Sequence, residues 1–540
     1  MSRISILTQQ YRIKNLEDWT IRAILAEAFF LPIFPTVAEA AIVVGLGAWF
    51  LRSYVDKNFK MRSLPFDLPI AIFVFLGAVS VLMSPASSWS LLYEYCWAIG
   101  IFSLTYLLVG QNIRKPEQVA LLINAFAASA LVVVLVGFFQ YVFGIDVAEM
   151  KWADGEAYPE LRKYIFSTME APNVLAGFLN VMICLALGIL AKIDDNKRKM
   201  LIAAAILIMA MCLAMTYSRG AFLAIAAVFL VYGIFQDWRA LILFAAVTGI
   251  VIYKDPTFID RLLALFTVTT NSNEGLRVGI WVSTIAMIAD HPFIGIGYGA
   301  FKFIYPQYNY YLADPSVIVR HAHNLYLNVA AEIGIAGALA YFWYFFGTMF
   351  TALSLNSNAR YKKIKNIAAK SKFTEEVSKL FMESKFLQEV TRTKTAWTAR
   401  MADWSEKVVE WFSANSEEQN EAPKKKSKRE QDLVHHEEMK WDKKSGKKSD
   451  KKSDDDDKMD IQRFAGENYD EDDEELIFDP KELKKFRAKK FISGVKFGIG
   501  LAFLSMSVNG MSDDLLFNVP SSILMWQLGA LCAAIILMED

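Results

Sequence analysis

The 540-residue chain has only four cysteines. All of them (Cys96, Cys184, Cys212, Cys532) fall inside apolar runs, so neither a disulfide framework nor a zinc-ligand spacing is available. Charge is scarce too, except in one place. The 131 residues from Arg360 to Lys490 hold 62 charged side chains, and the other 409 hold 52. The formal net charge of zero averages two unlike parts and carries no information about partners. The N-terminus, with Arg3, Arg12 and Lys14 before the first apolar run, lacks a cleavable signal pattern, so the first helix is expected to stay as a membrane anchor. A secreted disulfide scaffold, a soluble enzyme and a nucleic-acid binder are all excluded.

What is abundant is apolar surface. Hydrophobic residues make up 54% of the chain, aromatics 14%, and the mean hydropathy is +0.28. Apolar runs of about 20 residues recur, each long enough to cross a bilayer as a helix. They show no strand alternation, and backbone groups in lipid must bond internally, so the expected fold is an all-α polytopic membrane protein. About twelve transmembrane helices are expected. The first two share Ile21–Leu51, split at Pro32 and Pro35, and the rest fall near 68–84, 89–110, 117–143, 172–192, 199–217, 219–235, 239–253, 323–354, 490–508 and 521–538.

Basic residues crowd alternate loops: Arg52, Lys57, Lys60 and Arg62 in one, Arg114 and Lys115 in another, Lys192, Lys197, Arg198 and Lys199 in a third. The positive-inside bias then puts both termini on the cytoplasmic side, and segments 144–171 and 254–322 on the far side. The domain plan is a membrane body over 1–354, including the far-side loop 254–322, then a charged cytoplasmic insert over 355–489, then two closing helices over 490–540. Within the insert, Trp397, Trp404 and Trp411 lie near helical spacing and suit an amphipathic helix on the membrane surface. From Ser413 to Lys458 the composition is low-complexity, which suits disorder. The insert is the segment available to a cytoplasmic protein partner.

Basic residues on the far side run against topology preference and so are candidates for a task. Arg219 lies in TYSRGAFLA, Arg277 in GLRVGIW, and His321 and His323 in VRHAHNLYLNVAAEIGIAG. Two guanidinium forks can hold two phosphate groups bidentately, and a histidine titrating near neutrality can take a proton from a hydroxyl. Such a set suits a reaction on a phosphate-linked lipid. Each residue also has a plainer reading. Arg219 could cap the end of a span or reach toward headgroups, and Arg277 could sit on the surface of an amphipathic helix. His321 and His323 could bind metal, but no third ligand stands at a helpful spacing, so no metal and no cofactor are expected. The glycines Gly295, Gly297 and Gly299 in HPFIGIGYGAF have no βαβ unit around them and read as a tight turn. Glu94, between Tyr93 and Tyr95, is a buried acid that is either structural or lines a cavity.

The order of these elements resembles a known family. His323-Asn324, nine residues, Gly334, two residues and Gly337 look like the HN-x9-GxxG signature of the bacterial O-antigen ligases, and Arg219 to Leu223 and Arg277 to Trp281 resemble the Arg-centred elements that precede it. The resemblance implies a metal-independent, inverting transfer of an undecaprenyl-diphosphate-linked glycan to a hydroxyl of lipid A-core at the outer face of the bacterial inner membrane. Arg219 and Arg277 would grip the diphosphate and His323 would act as base. His321, Asn324, Trp281 and Glu332 would support them. Membrane lipids and the two glycan substrates are the expected partners, and nucleic acid is not. An O-antigen or capsule polymerase, or an O-linked protein glycosyltransferase, would need the same grip and the same base. A polytopic small-anion transporter is the alternative from another class, but it would place charges at the bilayer midplane and often show internal repeats. Neither is visible.

Overall fold

A computed structural model describes residues 3–56, 59–86, 89–144, 164–169, 171–254, 273–309, 318–353, 480–516 and 518–539. Almost all of the charged insert lies outside them, as do Trp397, Trp404, Trp411 and the low-complexity stretch. The chain divides into a membrane body and a second unit, 404–484, that is almost wholly undescribed. The body is described below.

Helices account for every apolar run, and no strand occurs among the described residues. They are α1 (Arg3–Phe30), α2 (Pro35–Val55), α3 (Asp67–Leu82), α4 (Trp89–Tyr95), a π-helical turn (Cys96–Ile101), α5 (Phe102–Asn112), α6 (Pro116–Phe143), α7 (Pro172–Leu190), α8 (Asn196–Ala214), α9 (Arg219–Phe235), α10 (Arg239–Lys254), α11 (Asn273–Asp290), α12 (Phe301–Ile304), α13 (Leu325–Leu353), α14 (Pro480–Asn509) and α15 (Val519–Glu539). The chain is an all-α polytopic membrane protein. Seven described segments are long and apolar enough to cross a membrane: α2, α4 through α5, α6, α7, α13, α14 and α15. The apolar helices α3 and α9 are shorter. The remaining three expected spans are less complete. The apolar residues of α1 gather in 21–30, where Arg22 and Glu27 interrupt them, α8 carries Lys197, Arg198 and Lys199 in its first turn, and α10 has 16 residues.

Proline sets several of these boundaries. Pro35, Pro116 and Pro172 each occupy the first turn of a helix, where no N–H is needed. Pro32 lies in the turn between α1 and α2, which divides 21–51 as the prolines imply. At one end of the body, two of the basic loops meet. Arg52 and Arg114 both lie over the Phe59 ring at 5.5 Å, and Arg62 donates to the carbonyls of Gly110 and Ile113.

Lipid supplies no hydrophobic drive between helices, so packing and hydrogen bonds must hold them together. Buried aromatics join α3, α5, α13 and α15. Tyr344 stacks on Trp526 at 4.8 Å, Phe73 meets both Tyr341 and Trp526, and the Tyr106 hydroxyl accepts the Phe66 N–H. Such ring pairs add about 0.5–1.5 kcal/mol each. Elsewhere side chains are absent at the contact. Gly188 on α7 meets the backbone of Gly494 and Gly498 on α14, and a Cβ on Gly498 would lie 2.8 Å from the Leu185 Cα.

The feature that shapes the site is a break in α13. Gly334 has φ 80° and ψ 171°, which divides the helix into 325–333 and 335–353. The break frees backbone groups, and the Gly-rich loop after α11 takes them up. Ile296 N–H donates to Ala331 O at 2.8 Å, Gly297 N–H to Glu332 O at 2.9 Å, and Ile335 N–H to Pro292 O at 2.9 Å. The Ser84 hydroxyl holds the other side of the loop through Ile296 O. Gly295, Gly297 and Gly299 all have positive φ, so the tight turn read from the sequence is what forms. A Cβ on Gly295 would stand 2.5 Å from Glu332 O, so the loop fits only without one.

Gly334→Ala combines a left-handed backbone, about 1–3 kcal/mol for a non-glycine residue, with a clash against the Phe293 carbonyl. The expected outcome is a large loss of folded yield and a lower thermal midpoint in detergent. Gly47→Ala, where nothing lies within 4 Å of the added carbon, should leave both unchanged or slightly improved.

Candidate functional site

The loop before α13 carries the residues of the HN signature, and its geometry explains the pairing. Asn324 is the helix cap: its Oδ1 accepts from the N–H groups of Tyr326 (3.0 Å) and Leu327 (3.1 Å), and its Nδ2 donates to Met511 O at 3.1 Å. His323 precedes it with φ 49°, a left-handed conformation uncommon for a residue with a side chain. Strain of that kind persists only where the surroundings impose it. Here the His323 N–H donates to His321 Nδ1 at 3.2 Å, and the two imidazole rings lie 4.1 Å apart. Ala322 between them is pinned from both sides, its N–H by Asn328 Oδ1 at 3.0 Å and its carbonyl by the Trp281 indole at 3.1 Å.

Trp281 is therefore a fixing residue for the histidine loop. It stands four residues after Arg277 on α11, so the two share one helix face. With the indole bound to Ala322, Arg277 is brought up to the rings. Burial lowers the His323 pKa to about 4, and the charge of Arg277 contributes. Burial, His323, Arg277 and Arg320 together lower His321 to about 3. Both imidazoles are neutral at neutral pH, with lone pairs free of protons. Of the two, His321 is buried and uses Nδ1 on the backbone, while His323 is half-buried.

A short turn between α14 and α15 ties these pieces together. Gly510 O and Asp513 O both accept the Leu325 N–H, at 2.8 and 3.1 Å, and Met511 O holds Asn324. Burial pushes the Asp513 carboxyl above its usual range, while the Asp514 N–H and Arg277 pull it back. The same turn receives the start of α9, where Gly220 lies against Ser512 and Asn509. Arg219, the first residue of α9 and half-exposed, is the neighbour in sequence of that Gly220, so α9 starts beside the turn that also holds Asn324. Two helix N-termini, of α9 and α13, abut it as well, and each carries partial positive charge. Arg277 and the neutral imidazoles bring a cation and a proton acceptor together beside this turn.

The structure thus groups His321, His323, Asn324, Arg277 and Trp281, and starts α9, with Arg219 as its first residue, beside the shared turn. Glu332 is not part of that group. Its carboxylate takes the N–H groups of Gly299 and Phe301 and faces a separate cleft, as does Glu94, whose Oε1 is 2.5 Å from Lys302 Nζ. Asn328 and the turn 510–514 were not singled out from the sequence. The adjacent acids Asp513 and Asp514, in a short link between two apolar spans, were the available signal. Among the described residues, no three His, Cys, Asp or Glu side chains converge as metal ligands do.

No curated protein matches this chain. Residues 204–342 match the family model described as O-antigen ligase, a stretch that holds Arg219, Arg277, Trp281, His323 and Gly334. Over that stretch, about a quarter of its length, the chain is similar to the O-antigen ligase family.

Proposed function

We propose that the protein transfers a glycan from an undecaprenyl-diphosphate carrier to a hydroxyl of lipid A-core. The observation that carries this reading is a neutral His323 beside Arg277 at the start of a broken membrane helix, within a domain of a ligase and polymerase family of membrane glycosyltransferases. The crowding of basic residues in alternate loops supports a site on the outer face of the bacterial inner membrane, with termini and insert in the cytoplasm.

In the proposed reaction His323 takes the proton of the acceptor hydroxyl as that oxygen attacks the anomeric carbon. The bond from this carbon to the diphosphate oxygen breaks, and the configuration inverts. The electron pair leaves with the diphosphate, whose growing charge is held by Arg219 and Arg277. Both the α9 and α13 N-termini add to that field. The residues so assigned need no metal or other cofactor. Joining one lipid-linked glycan to another, as a polymerase does, or to a protein, would use the same steps with a different acceptor.

Forked hydrogen bonding to diphosphate makes Arg and Lys unequal. Arg219→Lys and Arg277→Lys should each lose on the order of 10²–10³ in kcat, close to the alanine variants, in vesicles supplied with lipid-linked donor. Full activity in both lysine variants at normal protein levels would leave only a structural role.

His323→Ala should lose transfer by on the order of 10²–10⁴-fold, the range for a general base, while donor accumulates and membrane insertion is normal. His321→Ala should cost less, because its ring supports the His323 backbone, and EDTA should cost nothing. The reverse order of the two alanine variants would reassign the base, and inhibition by EDTA that zinc or magnesium reverses would require a metal.

The pH dependence follows from the lowered pKa. Protonation of His323 in the free protein waits until about pH 4 rather than 6.5, so kcat/KM should stay level down through pH 6.5 and fall as pH 4 nears. Bound diphosphate adds negative charge and raises the value, so the acid limb of kcat should lie higher than that of kcat/KM. Between the two pH values the unfolded chain binds more protons than the native one, so thermal stability should fall over the same range. An acid limb of kcat/KM at 6.5 would contradict the burial of this ring.

A further inference from the structure

A second polar cavity adjoins the histidine loop, and the proposed diphosphate grip does not use it. It is a cleft of about 260 Å³ walled by the π-helical turn, the loop after α11, the first half of α13 and the start of α15. Two of its lining residues reach the catalytic loop directly. Arg320 immediately precedes His321, and Asn328 holds the Ala322 N–H. The cleft and the base are therefore neighbours along the same four residues.

Its chemistry does not suit a diphosphate. Three carboxylates, Glu94, Glu332 and Asp514, line it against two cations, Lys302 and Arg320. Carboxyl groups hydrogen-bond the hydroxyls of a sugar and offer a phosphate no positive charge. Beside them stand the rings of Tyr93 and Trp97. The Trp97 indole is held in place, since it hydrogen-bonds Glu39 on α2 and meets the Phe102 ring edge-on at 6.4 Å. A fixed ring beside hydroxyl-accepting carboxylates is the pattern that binds a sugar, whose C–H face lies on the ring while its hydroxyls point to the acids. Trp97 also lies within the π-helical turn, and such turns are frequent at functional sites. At about 260 Å³ the cleft is smaller than drug-sized pockets of about 300–1,000 Å³ and suits a single ring.

We infer that this cleft binds a sugar ring of the acceptor glycan on Trp97, Glu94 and Glu332, and presents its hydroxyl to His323. The inference rests on the proposed transfer reaction for its consequence in turnover, but not for binding itself. The acceptor sugar comes either from lipid A-core or from a second lipid-linked repeat, and both offer the same hydroxyl-rich ring.

The test uses the full chain in nanodiscs. Trp97→Ala, which removes the platform, and Ala98→Trp, which fills the cleft, should raise the acceptor KM at least tenfold and leave the donor KM unchanged. A chemical readout runs beside it. With Cys96→Ser in the background the other native cysteines are buried, and the thiol introduced by Ala98→Cys reports the cleft through its rate of modification by a methanethiosulfonate reagent. Core oligosaccharide freed of lipid A should slow that modification severalfold if the acceptor is lipid A-core. Repeat-unit oligosaccharide should slow it instead if the chain joins glycan to glycan. Either protection supports the cleft. Wild-type protein that transfers no glycan would sink the transfer reading, while protection at position 98 would still decide binding. Unchanged acceptor KM in both variants, with no protection by either sugar, overturns the inference.

Discussion

Backbone N–H and C=O groups at membrane depth must be bonded, and the break in α13 at Gly334 is tolerated only because another segment supplies partners. The loop 291–297 fills the gap with three backbone hydrogen bonds. The remaining geometry follows from that insertion. It anchors the end of α11 against the middle of α13, and α11 carries Arg277 and Trp281. The first half of α13 is thereby free to take its own direction, with Asn324 capping it and His323 at its mouth. The GxxG element of the signature, far from any reacting atom, is in this sense as much part of the site as the histidine.

A second constraint is electrostatic. Cations gathered in a partly buried place raise each other's cost, and the structure relieves this in two ways. The histidines give up their protons, and Asp513 lies near Arg277. With a diphosphate held there as proposed, the anion would satisfy the guanidinium and make the imidazole a stronger base, so that binding and activation would be one event.

Helices, their order and the polar residues at their ends were legible in the sequence, for a simple reason. An apolar run of about 20 residues has few alternatives, and Arg219, Arg277 and His323 stand out because they are costly where they lie. The split at Pro32 and Pro35 was legible because proline cannot sit in a helix interior. The break at Gly334 was not, since glycine is common in membrane helices and hydropathy carries no φ. Nor was the π-helical turn, which costs one register step without altering composition. The turn 510–514 escaped because its partner Asn324 lies 187 residues away. A full set of twelve crossings is less evident than the run count suggested. The mostly apolar end of α1, ten residues or about 15 Å with Arg22 and Glu27 among them, reaches half of a hydrocarbon core of about 30 Å.

The contact of Gly188 with Gly494 and Gly498 has a consequence for the history of the chain. Because α7 and α14 touch backbone to backbone, the position of α14, and with it the turn that ties the site together, is set by a contact inside the bundle rather than by the connection from α13. Closing a connection between fixed ends costs entropy that rises only with the logarithm of its length, about 0.6 kcal/mol per doubling. A long, charged insertion between α13 and α14 could therefore be acquired, lengthened or rewritten without disturbing the residues around His323. The glycine seam makes the bundle indifferent to what is threaded between its last helices.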